Sequence, residues 1–450
     1  MWDTSETEAI SPASGSVKSI ETKFFVALFL VAALGGAIRK WFTDSSAVSN
    51  GILFLQMAIP FLLYYFRSAA SISPFERFPI LRLYFFYLVC EIFNPYHATV
   101  YHGILGIIIY GGLWLGFFFY LSNRKLFQVV PLMWLFIAIA ALETILAFIQ
   151  YQLPADHFLN RYADTKQAIA FVSTRVRITG TFSYLSGFNA YTLFYSFFVL
   201  ALIRLKYNPW IISIATAFGL ITSFMTGSRG GTLIYLLIII PVFIKEFTIK
   251  ELVSFFWKLI IPAAIGFTLV LLAKKISLGD QIYEAYDNFF GRVKVNRDNG
   301  EESSRLVWDL TYFFDGHVFK SFLFGVGTGS TYQGATALFG VSPAVQEFGY
   351  VEGEFIRIFL EGGLVLMAFK FIMAAMLVKR LCMNNIVKAV IFIIIVYGAP
   401  VVFNPHNATF LFLGVVLVDN IVWRQQIKQN EQRWRNREEE QQQLPAPASG

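Results

Sequence analysis

Two short stretches combine charge with glycine in a way suited to handling an anionic group. In ITSFMTGSRGGTLIY (221–235) a single arginine, Arg229, stands between two apolar runs, with Gly227, Gly230 and Gly231 around it. A charge at the centre of a bilayer costs about 2.5–3.5 kcal/mol on insertion scales, so its placement needs a reason. The glycines relax the backbone and allow close approach of a ligand. Thr226, Ser228 and the first free amides of a following helix add donors, and a helix start favours anions. The competing reading is a turn arginine that snorkels to the interface. The second stretch, YVEGEFIRIFLEGGLVLMAFKF (350–371), carries acids. Read as one helix, it puts Glu352 and Glu354 at its mouth, Arg357 less than a turn inside, and Glu361 about two turns beyond Glu354. A carboxylate here can serve as a base. Equally, Arg357 can pair with Glu354 or Glu361 at helical spacing and leave them a structural role.

The elements that must hold these residues are membrane helices. The chain of 450 residues is 56% hydrophobic and 14% charged, with a mean hydropathy of +0.58, too apolar for a soluble domain. A bilayer core demands about 20 apolar residues of a helix. Hydropathy predicts an all-α polytopic membrane protein of about twelve helices, at 22–38, 48–66, 79–93, 100–121, 127–151, 185–203, 209–226, 231–247, 254–273, 354–378, 387–402 and 408–423. Residues 1–20 read as a disordered tail and 424–450 as a polar tail. The block 21–273 holds nine helices with an outer segment at 152–184, and 354–423 holds the last three. Between them, 274–353 forms a large outer loop.

Counted alternately from a cytoplasmic N-terminus, the inner loops carry Arg67, Arg77, Arg82, Arg124, Lys125, Arg204, Lys206, Lys245, Lys250, Lys379, Arg380 and Lys388. The short loops around Asn94 and Asn404 carry no Lys or Arg, as the positive-inside rule expects. Arg39-Lys40, after the first helix, is an exception. The net charge of +7 is therefore mainly a topology signal, and no basic surface for nucleic acid emerges. Cys90 and Cys382 fall on opposite sides and have no metal-ligand spacing.

The large loop contains SSRLVWDLTYFFDGHVFKSFLFGVGTGS (303–330). Leu306, Leu310 and Phe313 share one helical face, with Arg305, Asp309 and Tyr312 opposite, so a helix lying along the outer membrane surface is expected. GVGTGS lacks the strand context of a nucleotide loop. The echo FNPYHAT (93–99) and FNPHNAT (403–409) reads as two Asn-Pro turns, or alternatively as a pair of histidines, His97 and His406, flanking one outer cavity. Glu143 and Asp419 are intramembrane acids of the kind a transporter uses.

RITGTFSYLSGFNAY, TGSRGG, SSRLVW followed by FLFGVGTGS, and EGEFIRIFLEGG occur here in an order that resembles the O-antigen ligase and O-antigen polymerase superfamily, over 175–371. The resemblance implies a bacterial inner-membrane glycosyltransferase of GT-C-like fold, with the large loop as a periplasmic roof over an outward cavity. It implies an undecaprenyl-diphosphate-linked glycan as donor, a second glycan as acceptor, polysaccharide chain-length or export proteins as partners, and no cofactor or metal. Consistently, no D-x-D occurs for a metal-bound nucleotide sugar. By position, Arg229 and Arg305 match the family arginines assigned to the diphosphate; Arg177 is a third candidate, with Arg175 as its substitute. The chain departs from the ligases where their His-Asn pair is replaced by Glu352-Gly353. Glu352 then becomes the candidate base, Glu354 its runner-up and His317 a substitute, and the reading shifts from ligase towards polymerase.

Overall fold

The computed structural model describes residues 19–163, 171–172, 175–243, 322–349, 353–398 and 404–442. The expected span at 254–273, the surface helix opening at Arg305, His317 and Glu352 lie outside these residues. Among those described, the helices are α1 (Ile20–Ala37, prolonged by a π turn, Ile38–Phe42), α2 (Ser46–Tyr65), α3 (Pro74–Arg77), α4 (Pro79–Glu91), α5 (Val100–Ser122), α6 (Met133–Gln152), α7 (Leu185–Arg204), α8 (Pro209–Met225) and α9 (Arg229–Phe243), followed by α10 (Gln333–Phe339), α11 (Pro343–Phe348), α12 (Glu354–Arg380), α13 (Asn385–Ile393, with a π turn Ile394–Gly398) and α14 (Pro405–Gln442). Phe171–Val172 and Arg175–Val176 form a two-residue antiparallel bridge.

Seven of the described helices are long and apolar enough to cross a membrane, and three shorter apolar ones accompany them. The predicted ends agree within about two residues for α2, α4, α5, α7 and α8, whereas α6 begins at Met133 rather than 127 and α14 runs on to Gln442 rather than stopping at 423. At α8 the start is set by Pro209 at the first helical position, with Asn208 capping it. The apolar windows of α5, α7 and α14 are each 83% buried and that of α2 only 28%, so the first three form the centre and α2 faces outward. In lipid, helices associate through side-chain packing rather than water exclusion. Phe29 of α1, Phe136 of α6, Phe194 of α7 and Phe410 of α14 supply that packing, ring to ring at 4.8, 5.5 and 6.0 Å.

Hydrogen bonds between elements sort the chain into two ends. At the basic end the fully buried Asp419 carboxylate pairs with Arg124 Nε (3.0 Å) and accepts from Tyr120 Oη (2.8 Å) and the Cys382 amide (2.5 Å). Arg124 also donates to the Arg380 carbonyl, and Arg424 to that of Phe127. Asp419 is thus an anchor for three chain segments. The opposite end gathers the π turn of α1, the 177–183 loop, the two Asn-Pro turns and the 322–331 segment.

One expected span is not a single rod. Gly363, within α12, has φ 60 and ψ −158, a conformation closed to side-chain-bearing residues. Glu354 and Lys370 are 16 residues apart, about 24 Å along a straight helix, yet Lys370 Nζ lies 2.6 Å from Glu354 Oε1. The two side chains together cannot reach that far, so the chain reverses at Gly363. Residues 354–362 form a half-helix folded back beside 364–380. The end groups exposed by this break are satisfied by the incoming 322–327 strand of chain. Leu364 and Val365 amides donate to the carbonyls of Phe322 and Leu323, while Val326 and Gly327 amides donate to those of Leu360 and Glu361. The reversal corrects the expected order along α12. Glu361 stands near the apex, and Glu354 lies deeper, not at the mouth.

Candidate functional site

At the end opposite the basic loops, four cations are built into the interior. Arg39 and Lys40 come from the π turn that ends α1 and are 2% and 4% exposed; Arg357 and Lys370, each 2% exposed, come from the two arms of the α12 hairpin. A π turn adds a residue to the helical turn and re-aims the side chains after it, a device common at functional sites. Arg39 Nε donates to Ser49 Oγ (2.8 Å) and its Nη1 to Ser183 Oγ (2.7 Å). Lys40 Nζ donates to Thr179 Oγ1 (2.7 Å) and the Gly180 carbonyl (3.0 Å). The expected exception to the positive-inside pattern is therefore no loop charge at all. Both groups point inward and hold the RITGTFS segment.

That segment is fixed from its other side by α6. Glu143 accepts from the Thr181 amide (3.1 Å) and from the Thr181 hydroxyl. Gln150 Oε1 accepts from the amides of Thr179 (3.1 Å) and Gly180 (2.7 Å), and its Nε2 donates back to the Gly180 carbonyl (3.0 Å). An intramembrane acid that reads as a transport residue is here an anchor for a loop.

The loop so held carries Arg177 to the TGSRGG turn. Arg177 Nε donates to the Thr226 carbonyl (2.8 Å), and the Ile178 amide to that of Met225 (3.4 Å). Gly227, at φ 62, lies under the Arg177 side chain. Arg229 is the first residue of α9, with Ser228 accepting from the Thr232 amide behind it. Arg175 lies in the short bridge, opposite Val172. The RITGTFS segment and the TGSRGG turn, 49 residues apart from Arg177 to Thr226, are thus in direct contact.

The glycine segment after Phe322 has a structural task. Glu361 accepts from the amides of Gly329 (2.7 Å) and Thr331 (2.8 Å), the Thr331 hydroxyl, and Tyr110 Oη (2.7 Å). Gly327 and Gly329 have φ of 95 and 84; an added side chain would strike His97 and the His102 carbonyl. His97 itself bonds the Thr328 carbonyl through Nε2 (3.1 Å) and Ile92 through Nδ1 (3.3 Å). His406 meets Gln56 Nε2 at 3.3 Å. The turns that carry them are built alike, Asn94 Oδ1 accepting from Tyr96 (3.1 Å) and Asn404 Oδ1 from His406 (3.0 Å). The turn reading accounts for the echo; each histidine serves a different neighbour.

Tyr332, just past this segment, connects the two sets of cations. Burial pushes its phenol above the ordinary value, while Arg39 and Arg357 both pull it down. Both guanidinium groups are thus within electrostatic range of one ring, although they come from α1 and α12. Among the described residues no group of three His, Cys, Asp or Glu has the arrangement of a metal site, and both cysteines are free. Sequence reasoning missed Arg39, Lys40 and Lys370; the cue for the last was Gly362-Gly363, a glycine pair inside an apolar run. Neither a family model, nor a curated protein, nor a solved structure matches this chain.

Proposed function

We propose that the chain is a bacterial inner-membrane glycosyltransferase that joins lipid-linked glycan repeat units, as the O-antigen polymerases do. In this reading the bond between the donor sugar and undecaprenyl diphosphate breaks, an acceptor hydroxyl bonds to the same carbon, and the diphosphate leaves carrying the negative charge. Fixed arginines beside the leaving group stabilise that charge without a metal. Arg177, Arg229 and Arg305, with Arg175 as a substitute, are assigned to it. Glu352 takes the acceptor's proton. Glu354, the runner-up, is neutralised by Lys370 and is the weaker candidate.

The observation that carries the reading is the contact between Arg177 and the TGSRGG turn. Two of the motifs that resemble the family touch one another, at the end where Arg39, Lys40 and Arg357 are also gathered. An apolar groove of about 530 Å³ between α6, α7 and α8, lined by Ile145, Phe148, Phe198, Ile214 and Phe218, reaches from the lipid side towards Thr144 and Gln152 and suits a polyprenyl chain. Under the positive-inside rule the basic end and both termini are cytoplasmic, and the cation-bearing end is periplasmic beneath the large loop. Twelve spans complete this picture.

The reversed half-helix of α12 favours a second reading, a transporter, since broken helices recur in such proteins. A deletion strain separates the two. With polymerase activity lost, single repeat units accumulate on the polyprenyl carrier and at most one unit reaches the surface. Full-length polymer retained on the carrier would indicate a ligase. An unchanged glycan profile would overturn the enzyme reading.

A further inference from the structure

The α12 hairpin brings together groups that no helical register would. Glu354 is the first residue of the half-helix and Lys370 lies seven residues past the reversal, about 10 Å from the apex along the second arm. Their contact of 2.6 Å is buried on both sides, 3% and 5% exposed at the side chains. Arg357 lies one turn along the half-helix from Glu354, and Glu352 precedes it by two residues. An acid at a helix start is favoured by the helix dipole, and a buried ammonium bound to it fixes its direction as well as its charge. The backbone bonds of the break from the 322–327 segment lie at the apex, away from the Glu354 end of the half-helix.

We infer that Lys370 is a positioning residue: by holding Glu354 across the α12 hairpin it sets the half-helix, and with it Arg357, at the cation-bearing end of the molecule. For glycosyl transfer this rests on the reading above, but the positioning itself is measurable without it. Lys370 touches no substrate; it acts through Glu354. Loss of the ion pair leaves a buried charge uncompensated and frees the lower end of the half-helix, while the apex stays held by the 322–327 segment and Glu361.

Three measurements on the full-length chain in native membranes test it, in a background with Cys90→Ser and Cys382→Ser. First, the pair Glu354→Cys and Lys370→Cys is treated with a short bismaleimide. An intramolecular cross-link is expected; its absence, where each single cysteine is labelled by N-ethylmaleimide, would mean that the two arms do not meet and would end the proposal. Second, Arg357→Cys is labelled with an aqueous thiosulfonate. Adding Lys370→Met should raise the labelling rate about tenfold by loosening the half-helix, and Lys370→Arg should not. Equal rates would remove the positioning role whatever the protein's activity.

Third, transfer of lipid-linked glycan is followed. Lys370→Glu and Glu354→Lys should each lower kcat about 100-fold with little change in KM, and the two combined should recover most of it, since only placement is lost. A combined variant as poor as either single one would show that one of the two groups reacts with substrate, overturning the assignment. If the cross-link and labelling results hold but the wild-type chain transfers no glycan, the hairpin latch stands and the glycosyltransferase reading falls.

Discussion

Arg177 offers the most direct test of the site at the level of single residues. Its guanidinium is anchored through Nε to the Thr226 carbonyl, which orients the group at the TGSRGG turn. In the proposed reaction Arg177→Ala removes one oriented donor from the departing diphosphate, and a loss of about 10²–10³ in kcat is expected at normal protein abundance. Arg177→Lys should recover only part, because lysine lacks the planar fork. Turnover of purified lipid-linked repeat units in proteoliposomes gives the number, and full activity in Arg177→Ala would remove it from the site. Stability is the readout for Glu143. Glu143→Leu leaves the buried Thr181 amide and hydroxyl without their acceptor, so unfolding in detergent should shift by about 1–3 kcal/mol, the cost typical of an unsatisfied buried donor. The arginine of TGSRGG was legible because a lone charge amid apolar runs stands out. Arg39 and Lys40 were not, because counting loop charges cannot tell a solvated side chain from one turned inward by a π turn.

Gly363 decides the shape of α12, the element that sequence reading described least well. Its φ of 60 and ψ of −158 exclude other residues, and an added Cβ would sit 2.5 Å from the Leu323 carbonyl. Gly363→Ala should therefore either straighten the helix or strain the turn, at about 1–3 kcal/mol for the backbone alone. A fall in the detergent melting temperature and loss of the Glu354–Lys370 cross-link are the expected results. Gly51→Ala is the matched control: it lies in α2 with open space at its Cβ, and a helix interior favours alanine by about 0.5–1 kcal/mol. A Gly363→Ala protein as stable as wild type would show that the break is dispensable. The extent of α12 was legible to within two residues from hydropathy, which has no direction: a nine-residue arm folded back reads the same as one continuing. Only the paired glycines and the unlikely partnership of Glu354 with Lys370 mark the reversal.

The arrangement of the whole molecule follows from packing that hydropathy anticipates well. Apolar runs marked the helices, and Asn-Pro turns marked two hairpins, but which helices are central had to come from burial. Sidedness is the remaining property of the whole chain, and its two native cysteines can measure it. Cys90, exposed near the end of α4, should react with a membrane-impermeant maleimide added from the periplasmic side. Cys382 lies among the basic loops and should react only after the cytoplasmic side is opened. Burial first, and then the Asp419 carboxylate, push the Cys382 thiol above its ordinary range. The thiolate is the reactive form, so at neutral pH Cys382 should label more slowly than a free thiol. The rate should rise as pH increases, levelling off only above the range where an unperturbed cysteine does. Single-cysteine variants, Cys90→Ser and Cys382→Ser, assayed in intact and permeabilised cells, assign each site. Labelling of Cys382 in intact cells, or of Cys90 only after permeabilisation, would invert the topology and move the cation-bearing end to the cytoplasm, where a periplasmic polymerase cannot work.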